Sequence, residues 1–353
     1  MAWKRKPRVD DWVEVRSKEE ILRTLDAEGQ LDGMPFMPEM LEFCGKRFQV
    51  YKRAHKTCDT VFPVRGRRVA DSVHLQTRCD GSAHGDCQAS CLLFWKLAWL
   101  KPVGGPDTNI PTALPAACSE RDLEANTRTV DPVDGKLRYT CQATQLPYAT
   151  SKLDWWDFSQ YVEDYTSGNV GLGRILSGGL YMVAHWLSRA GIGVGRPIRW
   201  FWDRFHPLWG GAPYPRRSGS IPDGHSTPVA ALNLGPGDLV QIKPYREILQ
   251  TLNESNRNRG LFWDAEEVPY CGKTYRVLKR VERIINERTG KMQEMKTPCV
   301  ILDSVICESR YSECRFFCPR SIYSYWREIW LQRVTPEGTS SVVERDNQVA
   351  TKC

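Results

Sequence analysis

Cys44-Gly45-Lys46-Arg47-Phe48-Gln49-Val50-Tyr51-Lys52-Arg53 recurs as Cys271-Gly272-Lys273-Thr274-Tyr275-Arg276-Val277-Leu278-Lys279-Arg280, 227 residues further on. The cysteine, the glycine, a valine and the closing Lys-Arg pair keep their places. Working outward, the same offset carries Asp11 onto Asp238, Val13 onto Val240 and Glu20-Ile21-Leu22 onto Glu247-Ile248-Leu249. It also carries Thr24-Leu25 onto Thr251-Leu252, Gly33 onto Gly260 and Glu39 onto Glu266. Further along, Trp95 and Trp99-Leu100 meet Trp326 and Trp330-Leu331 at an offset of 231. So many ordered matches at one long spacing read as two similar domains, not a solenoid of short units. The division that follows is 1–103 as first repeat module and 104–234 as linker and helical inter-repeat region. Residues 235–335 then form the second repeat module, and 336–353 a flexible C-terminal tail.

Each copy opens on an alternating run, Trp12-Val13-Glu14-Val15 or Leu239-Val240-Gln241-Ile242, which has the period of a half-buried strand. Gly235-Pro236-Gly237 supplies a turn before the second of these runs. A short helical stretch, a Gly turn, a second strand, further short strands and a Trp-containing segment complete each copy. The expected fold is mainly β with α: two tandem SH3-like small β-barrel modules joined by a partly helical region. That likeness is fold-level analogy and implies no activity. The "CG…V.KR" stretches and Tyr325-Trp326-Arg327-Glu328-Ile329-Trp330-Leu331-Gln332-Arg333-Val334, with the duplication, carry a resemblance to an uncharacterised bacterial family. It implies the same two-module plan and nothing about chemistry.

A hydrophobic content of 41% with 26% charged residues is that of a folded chain, long enough at 353 residues for several cores. The net charge of +7 is mildly basic and compatible with nucleic acid or an anionic membrane surface without requiring either. The basic start, Met1 to Arg8, is followed by no apolar stretch, so no secretory signal is expected. The expected location is cytoplasmic, with a peripheral place at the inner face of the membrane as the further option. Thiols stay reduced there, so the 13 cysteines read as metal ligands or buried thiols before disulfides.

Cys79, His84, Cys87 and Cys91 follow the spacing C-x4-H-x2-C-x3-C in a Gly- and Asp-rich stretch. Several soft ligands in one short loop suit zinc, or alternatively an iron–sulfur cluster. Cys58 and Cys91 are both cysteine in the first copy, whereas Ile285 and Ile322 stand at those places in the second. Such a joint exchange is expected of two residues that meet. The candidate set is therefore Cys58, Cys79, Cys87 and Cys91, with His84 as a substitute ligand. Cys299, Cys307, Cys314 and Cys318 form the second-repeat candidate. The competing interpretation is a set of buried thiols packing as small apolar groups. In an oxidising compartment Cys58–Cys91 becomes a disulfide candidate.

Between the copies, Gly104 to Pro132 reads as an extended linker, and Ile175 to Leu187 is an apolar run too short to cross a bilayer, which takes ~20 residues. Arg196, Arg199 and Arg204 then interleave with Trp200 and Trp202, a mixture that suits a membrane interface or a protein partner. An ordinary helix pair packed between modules is the alternative. No phosphate loop, H-E-x-x-H or G-x-S-x-G stretch occurs. Three functional expectations follow. The first is a non-enzymatic scaffold or accessory protein with a thiolate metal site in its first repeat. The second is a metal-dependent or iron–sulfur enzyme using the Cys79–Cys91 loop, with His84 or Asp86 as base. The third is a nucleic-acid-binding tandem barrel, using Lys52-Arg53 and Lys279-Arg280 along a phosphate backbone.

Overall fold

A computed structural model describes residues 3, 5–59, 61, 65–104, 117–191, 193–209 and 211–334. The expected tail, 336–353, and much of the expected linker lie outside these residues. The fold is mixed α/β, mostly strands in several small sheets with some helices, and no sheet closes into a barrel among the described residues. The helices, in chain order, are α1 (Lys18–Leu22), α2 (Glu120–Ala125), α3 (Gln142–Ala149), α4 (Ser159–Thr166), α5 (Leu172–Arg189), α6 (Gly195–Phe205) and α7 (Tyr245–Leu249).

In the N-segment (11–103), strand Trp12–Val15 lies antiparallel between Arg47–Gln49 and Leu100–Pro102. In the C-segment (238–334), Leu239–Ile242 lies between the start of Thr274–Ile285 and Leu331–Arg333. The registers coincide: Val13 faces Phe48 and Pro102, while Val240 faces Tyr275 and Arg333. The alternation read from sequence sets this, because Val13, Val15, Val240 and Ile242 all point into buried cores. Beneath each sheet one aromatic side chain meets two tryptophans edge to face. Phe36 packs against Trp95 and Trp99 at 6.2 and 5.2 Å, and Trp263 against Trp326 and Trp330 at 5.5 and 5.0 Å. Each buried closing indole also finds a hydroxyl, Trp99 Nε1 donating to Thr24 Oγ1 at 3.1 Å and Trp330 Nε1 to Thr251 Oγ1 at 2.9 Å.

The intervening chain divides between these cores. Cys118, Leu123 and Leu146 join the N-segment core, so the chain from residue 117 onward is packed structure and not the extended linker expected to reach Pro132. Val170, Tyr181, Trp202 and Tyr214 join the C-segment core. Gly178 is required here, since a Cβ on it would come within 2.5 Å of the Phe317 ring.

The two segments touch through equivalent residues with exchanged roles. Lys52 Nζ donates to Ser321 Oγ at 3.0 Å, and Lys279 Nζ donates to Ser90 Oγ at 3.0 Å. The backbone N–H of Cys58 donates to Cys318 Sγ at 3.0 Å, and that of Ile285 to Cys87 Sγ at 3.3 Å. Lys279 and Ile285 are the 227-residue counterparts of Lys52 and Cys58, and Ser321 and Cys318 the 231-residue counterparts of Ser90 and Cys87. Reciprocity of this kind is the signature of an isologous contact, here within a single chain.

Candidate functional site

Glu39 lies in the 3₁₀ turn Pro38–Phe43, Cys79 just beyond strand Ser72–Arg78, and His84 at the end of the 3₁₀ turn Ser82–His84. Gly81 makes their convergence sterically feasible. Its φ is +84°, and a Cβ there would lie 2.1 Å from the carbonyl oxygen of Cys87. Asp80 Oδ1 fastens the turn by accepting from the backbone N–H of Ser82 at 2.9 Å. His84 Nδ1 is then 2.8 Å and Cys79 Sγ 3.1 Å from Glu39 Oε1. His84 Nε2 lies 3.0 Å from the carbonyl oxygen of Thr140, which can take its N–H.

A carboxylate oxygen, a sulfur and an imidazole nitrogen lie within 4.8 Å of one another, and no other such trio of His, Cys, Asp or Glu occurs among the described residues. Glu39 Oε2 is buried without a hydrogen-bond partner. Burial opposes ionisation of Glu39, but hydrogen bonding to His84 and its charge outweigh it and lower the carboxyl pKa. Burial, followed by the Glu39 charge, raises the pKa of the Cys79 thiol. The donor set suits zinc. Nδ1, now bonded to Glu39 Oε1, could bind an ion in place of that hydrogen bond while Nε2–H stays held by a backbone carbonyl, the usual outer arrangement of a metal-bound imidazole. Zinc would take the thiol as thiolate, with ~2.3 Å to sulfur and ~2.0 Å to nitrogen.

The fold thus brings Cys79 and His84 together and adds Glu39. It does not gather the other expected ligands with them. Cys58 meets Cys318, Cys87 accepts from Ile285, and Cys91 contributes its carbonyl oxygen to the N–H of Cys79 at 2.9 Å. Cys91 and Cys141 are near enough to act electrostatically on Cys79, but neither sulfur belongs to the trio. Glu39 was legible in one respect, as an acid matched by Glu266 in the duplicated alignment. Only the folded chain assigns it to Cys79 and His84.

The four second-repeat candidates, Cys299, Cys307, Cys314 and Cys318, form no equivalent group among the described residues. Cys299 is enclosed with Val281 and Ile301, Cys307 lies 3.4 Å from Ser309 Oγ, and Cys318 lies against Cys58. Cys314 is half-buried. Glu266, the counterpart of Glu39, accepts from the N–H groups of Arg310 and Tyr311 and from Ser312 Oγ. Burial and the neighbouring Asp264 charge push its pKa up to about 7.

The helices between the segments present a different surface. On α5, Tyr181 and His185 face inward, whereas Leu172, Leu176, Leu180, Val183 and Leu187 run along the exposed side. Leu176 is 64% and Leu180 56% exposed, unusual for leucines arranged in a helical stripe. On α6, Arg196, Trp200 and Arg204 share one exposed ridge, with Phe201 beside it. Arg199 is half-buried, its Nε donating to the Gly195 carbonyl at 3.0 Å. Trp202 differs from the sequence expectation: it is buried, donating to the Ala212 carbonyl at 3.0 Å, because the helical period turns it toward Tyr181. No described helix is long and apolar enough to cross a membrane.

The strand-end basic pairs are engaged within the chain. Lys52 and Lys279 hold serines across the segment contact, Arg53 donates to the Lys6 and Pro7 carbonyls, and Arg280 pairs with Glu328 at 2.9 Å. No family model, no curated protein and no solved structure matches the chain.

Proposed function

We propose that this chain is a non-enzymatic scaffold or accessory protein that docks on an anionic membrane surface. Its frame would be two copies of one SH3-like module, fastened in the N-segment by a bound zinc ion. The exposed stripe Leu172, Leu176, Leu180, Val183 and Leu187 carries this reading. Five large aliphatic side chains about half exposed along one helix forgo part of the about 1.5–3 kcal/mol that full burial of each supplies. Arg196 and Arg204 on either side of Trp200 supply the cations and indole that favour a lipid headgroup region. The anionic inner leaflet is the surface this chemistry fits best.

Vesicle flotation tests it. The protein is expected to float with phosphatidylglycerol-containing vesicles, to stay down with phosphatidylcholine alone, and to lose flotation on Leu180→Glu or Val183→Glu. Both sites are exposed, so these variants keep the fold. Absence of flotation with the anionic vesicles would overturn the docking reading, as would a dimer that Leu180→Glu dissolves.

The metal component rests on Glu39, Cys79 and His84. With one sulfur, one nitrogen and one carboxylate, the set favours zinc over an iron–sulfur cluster. Elemental analysis is expected to find one zinc per chain, lost in Cys79→Ser and His84→Ala but kept in Cys58→Ser and Cys87→Ser. Zinc content unchanged in the first two variants rejects the site.

A further inference from the structure

Cys318 approaches Cys58 from a position 260 residues away in sequence, its sulfur 3.0 Å from the Cys58 backbone nitrogen. Both residues are buried, and each thiol bears on the ionisation of the other. The equivalent contact elsewhere places Cys87 Sγ 3.3 Å from the nitrogen of Ile285, whose side chain carries no sulfur. Of two geometrically matched contacts, one therefore holds a dithiol and the other a thiol against an aliphatic side chain. Both dithiol members belong to different segments, so any bond between them would tie the N-segment to the C-segment directly.

We propose that Cys58 and Cys318 are a redox pair, closed to a disulfide by hydrogen peroxide, that locks the two segments together. Peroxide is close to water in size, which matters for sulfurs with this little exposure. In the first step the Cys318 thiolate attacks one peroxide oxygen. An S–O bond forms, the O–O bond breaks, and the departing hydroxide takes up a proton to become water. In the second, the Cys58 sulfur attacks the Cys318 sulfur. The S–S bond forms, the S–O bond breaks, and hydroxide leaves with the Cys58 proton as a second water. Each sulfur has lost one electron, and the two peroxide oxygens have gained those two.

The surroundings favour this order of events. Burial opposes the Cys318 thiolate, but the hydrogen bond from Cys58 and the backbone and guanidinium of Arg320 outweigh it, leaving its pKa at about 7. Donating that hydrogen bond and being buried raise Cys58 well above the ordinary thiol range, so it keeps its proton until the second step. Lys56 also faces Cys318, Arg315 faces Cys58, and the Cys307 thiol is near both. The thiolate is the reactive form of cysteine, and a low-pKa sulfur beside a resolving thiol is the arrangement peroxide-sensitive pairs require.

The experiment is peroxide treatment of the dithiothreitol-reduced full chain at neutral pH, followed by alkylation under denaturing conditions, digestion and mass spectrometry. A linked peptide pair containing Cys58 and Cys318, lighter than the two thiols by two hydrogens, is expected, and dithiothreitol should reverse it. The link should survive Cys87→Ser and vanish in Cys318→Ser. It should also raise the melting temperature, because a cross-link over so long a loop restricts the unfolded chain. Ile285→Cys should create a second peroxide-dependent link, from Cys87 to position 285. The proposal is overturned if both wild-type thiols are recovered alkylated, if Cys318 is oxidised further without linking, or if Cys58 links elsewhere. All three outcomes are read on the wild-type chain, so no variant has to fold for the test to decide.

Discussion

Arg78 donates from Nη2 to the carbonyl oxygen of Ser321 at 3.0 Å, across the contact between the two segments. Its Nη1 holds the carbonyl of Ser90 at 2.9 Å, and its guanidinium lies 3.9 Å from the centre of the Tyr323 ring. One planar group thus spans the two serines that also receive Lys52 and Lys279. The contact depends on this fork, because an ammonium could satisfy one carbonyl and not hold the other in the same plane.

Arg78→Lys is accordingly expected to lower stability by about 2 kcal/mol, the scale of one charged hydrogen bond lost from a largely buried place. Urea unfolding of the full chain measures this. A loss below the error of the midpoint would show that the fork contributes little.

Thr24 and Thr251 occupy matched places and accept from matched indoles, those of Trp99 and Trp330. Thr24→Val and Thr251→Val each leave a buried N–H without an acceptor, at an expected loss of about 1–2 kcal/mol. Thermal melts should place the two variants close together. Widely different losses would mean that the two environments, though alike in geometry, are not alike in energy.

Glu313 anchors α5 to the C-segment through His185 and Arg189, and Arg216 from the chain beyond α6 lies 3.8 Å from it. Hydrogen bonding to His185 lowers its pKa, burial works against that, and the charges of Arg216, His185 and Arg189 bring it from 4.5 to about 2. A depressed carboxyl contributes stability that is present above its unfolded pKa and lost as pH falls through the folded one. Glu313→Gln should therefore be less stable than wild type at neutral pH, by about 1 kcal/mol after solvent screening is allowed for. The gap should close between pH 4.5 and about 2. A gap that persists at the acid end would sink this account.

Gly178 and Gly179 are neighbours on α5 with opposite surroundings. Gly178→Ala drives a methyl group into the Phe317 ring and is expected to destabilise by about 1–3 kcal/mol. Gly179 meets nothing within 4 Å, so Gly179→Ala should stabilise by up to about 1 kcal/mol through helix propensity. Equal effects of the two substitutions, measured by calorimetry, would mean that α5 does not rest on Phe317.

Much of the local plan was legible before folding. The alternation at Trp12–Val15 and Leu239–Ile242, the turns at Gly45 and Gly272 and the paired tryptophans all express short-range rules, and the equal spacings placed them in parallel. The inward turn of Trp202 was not legible, since interleaved Arg and aromatic residues do not reveal which side of α6 rests on Tyr181. For the thiols, the joint change of Cys58 and Cys91 to Ile285 and Ile322 suggested a meeting inside one segment. The fold directs Cys58 to Cys318 and Ile285 to Cys87 instead.

Sequence alone therefore determined the repeated order of strands, turns and aromatic anchors, because backbone period and side-chain polarity act over a few residues. Which sulfur meets which, and which acid joins Cys79 and His84, was decided only in three dimensions. Those neighbours are chosen by packing between distant parts of the chain, and spacing along one dimension carries no record of that packing.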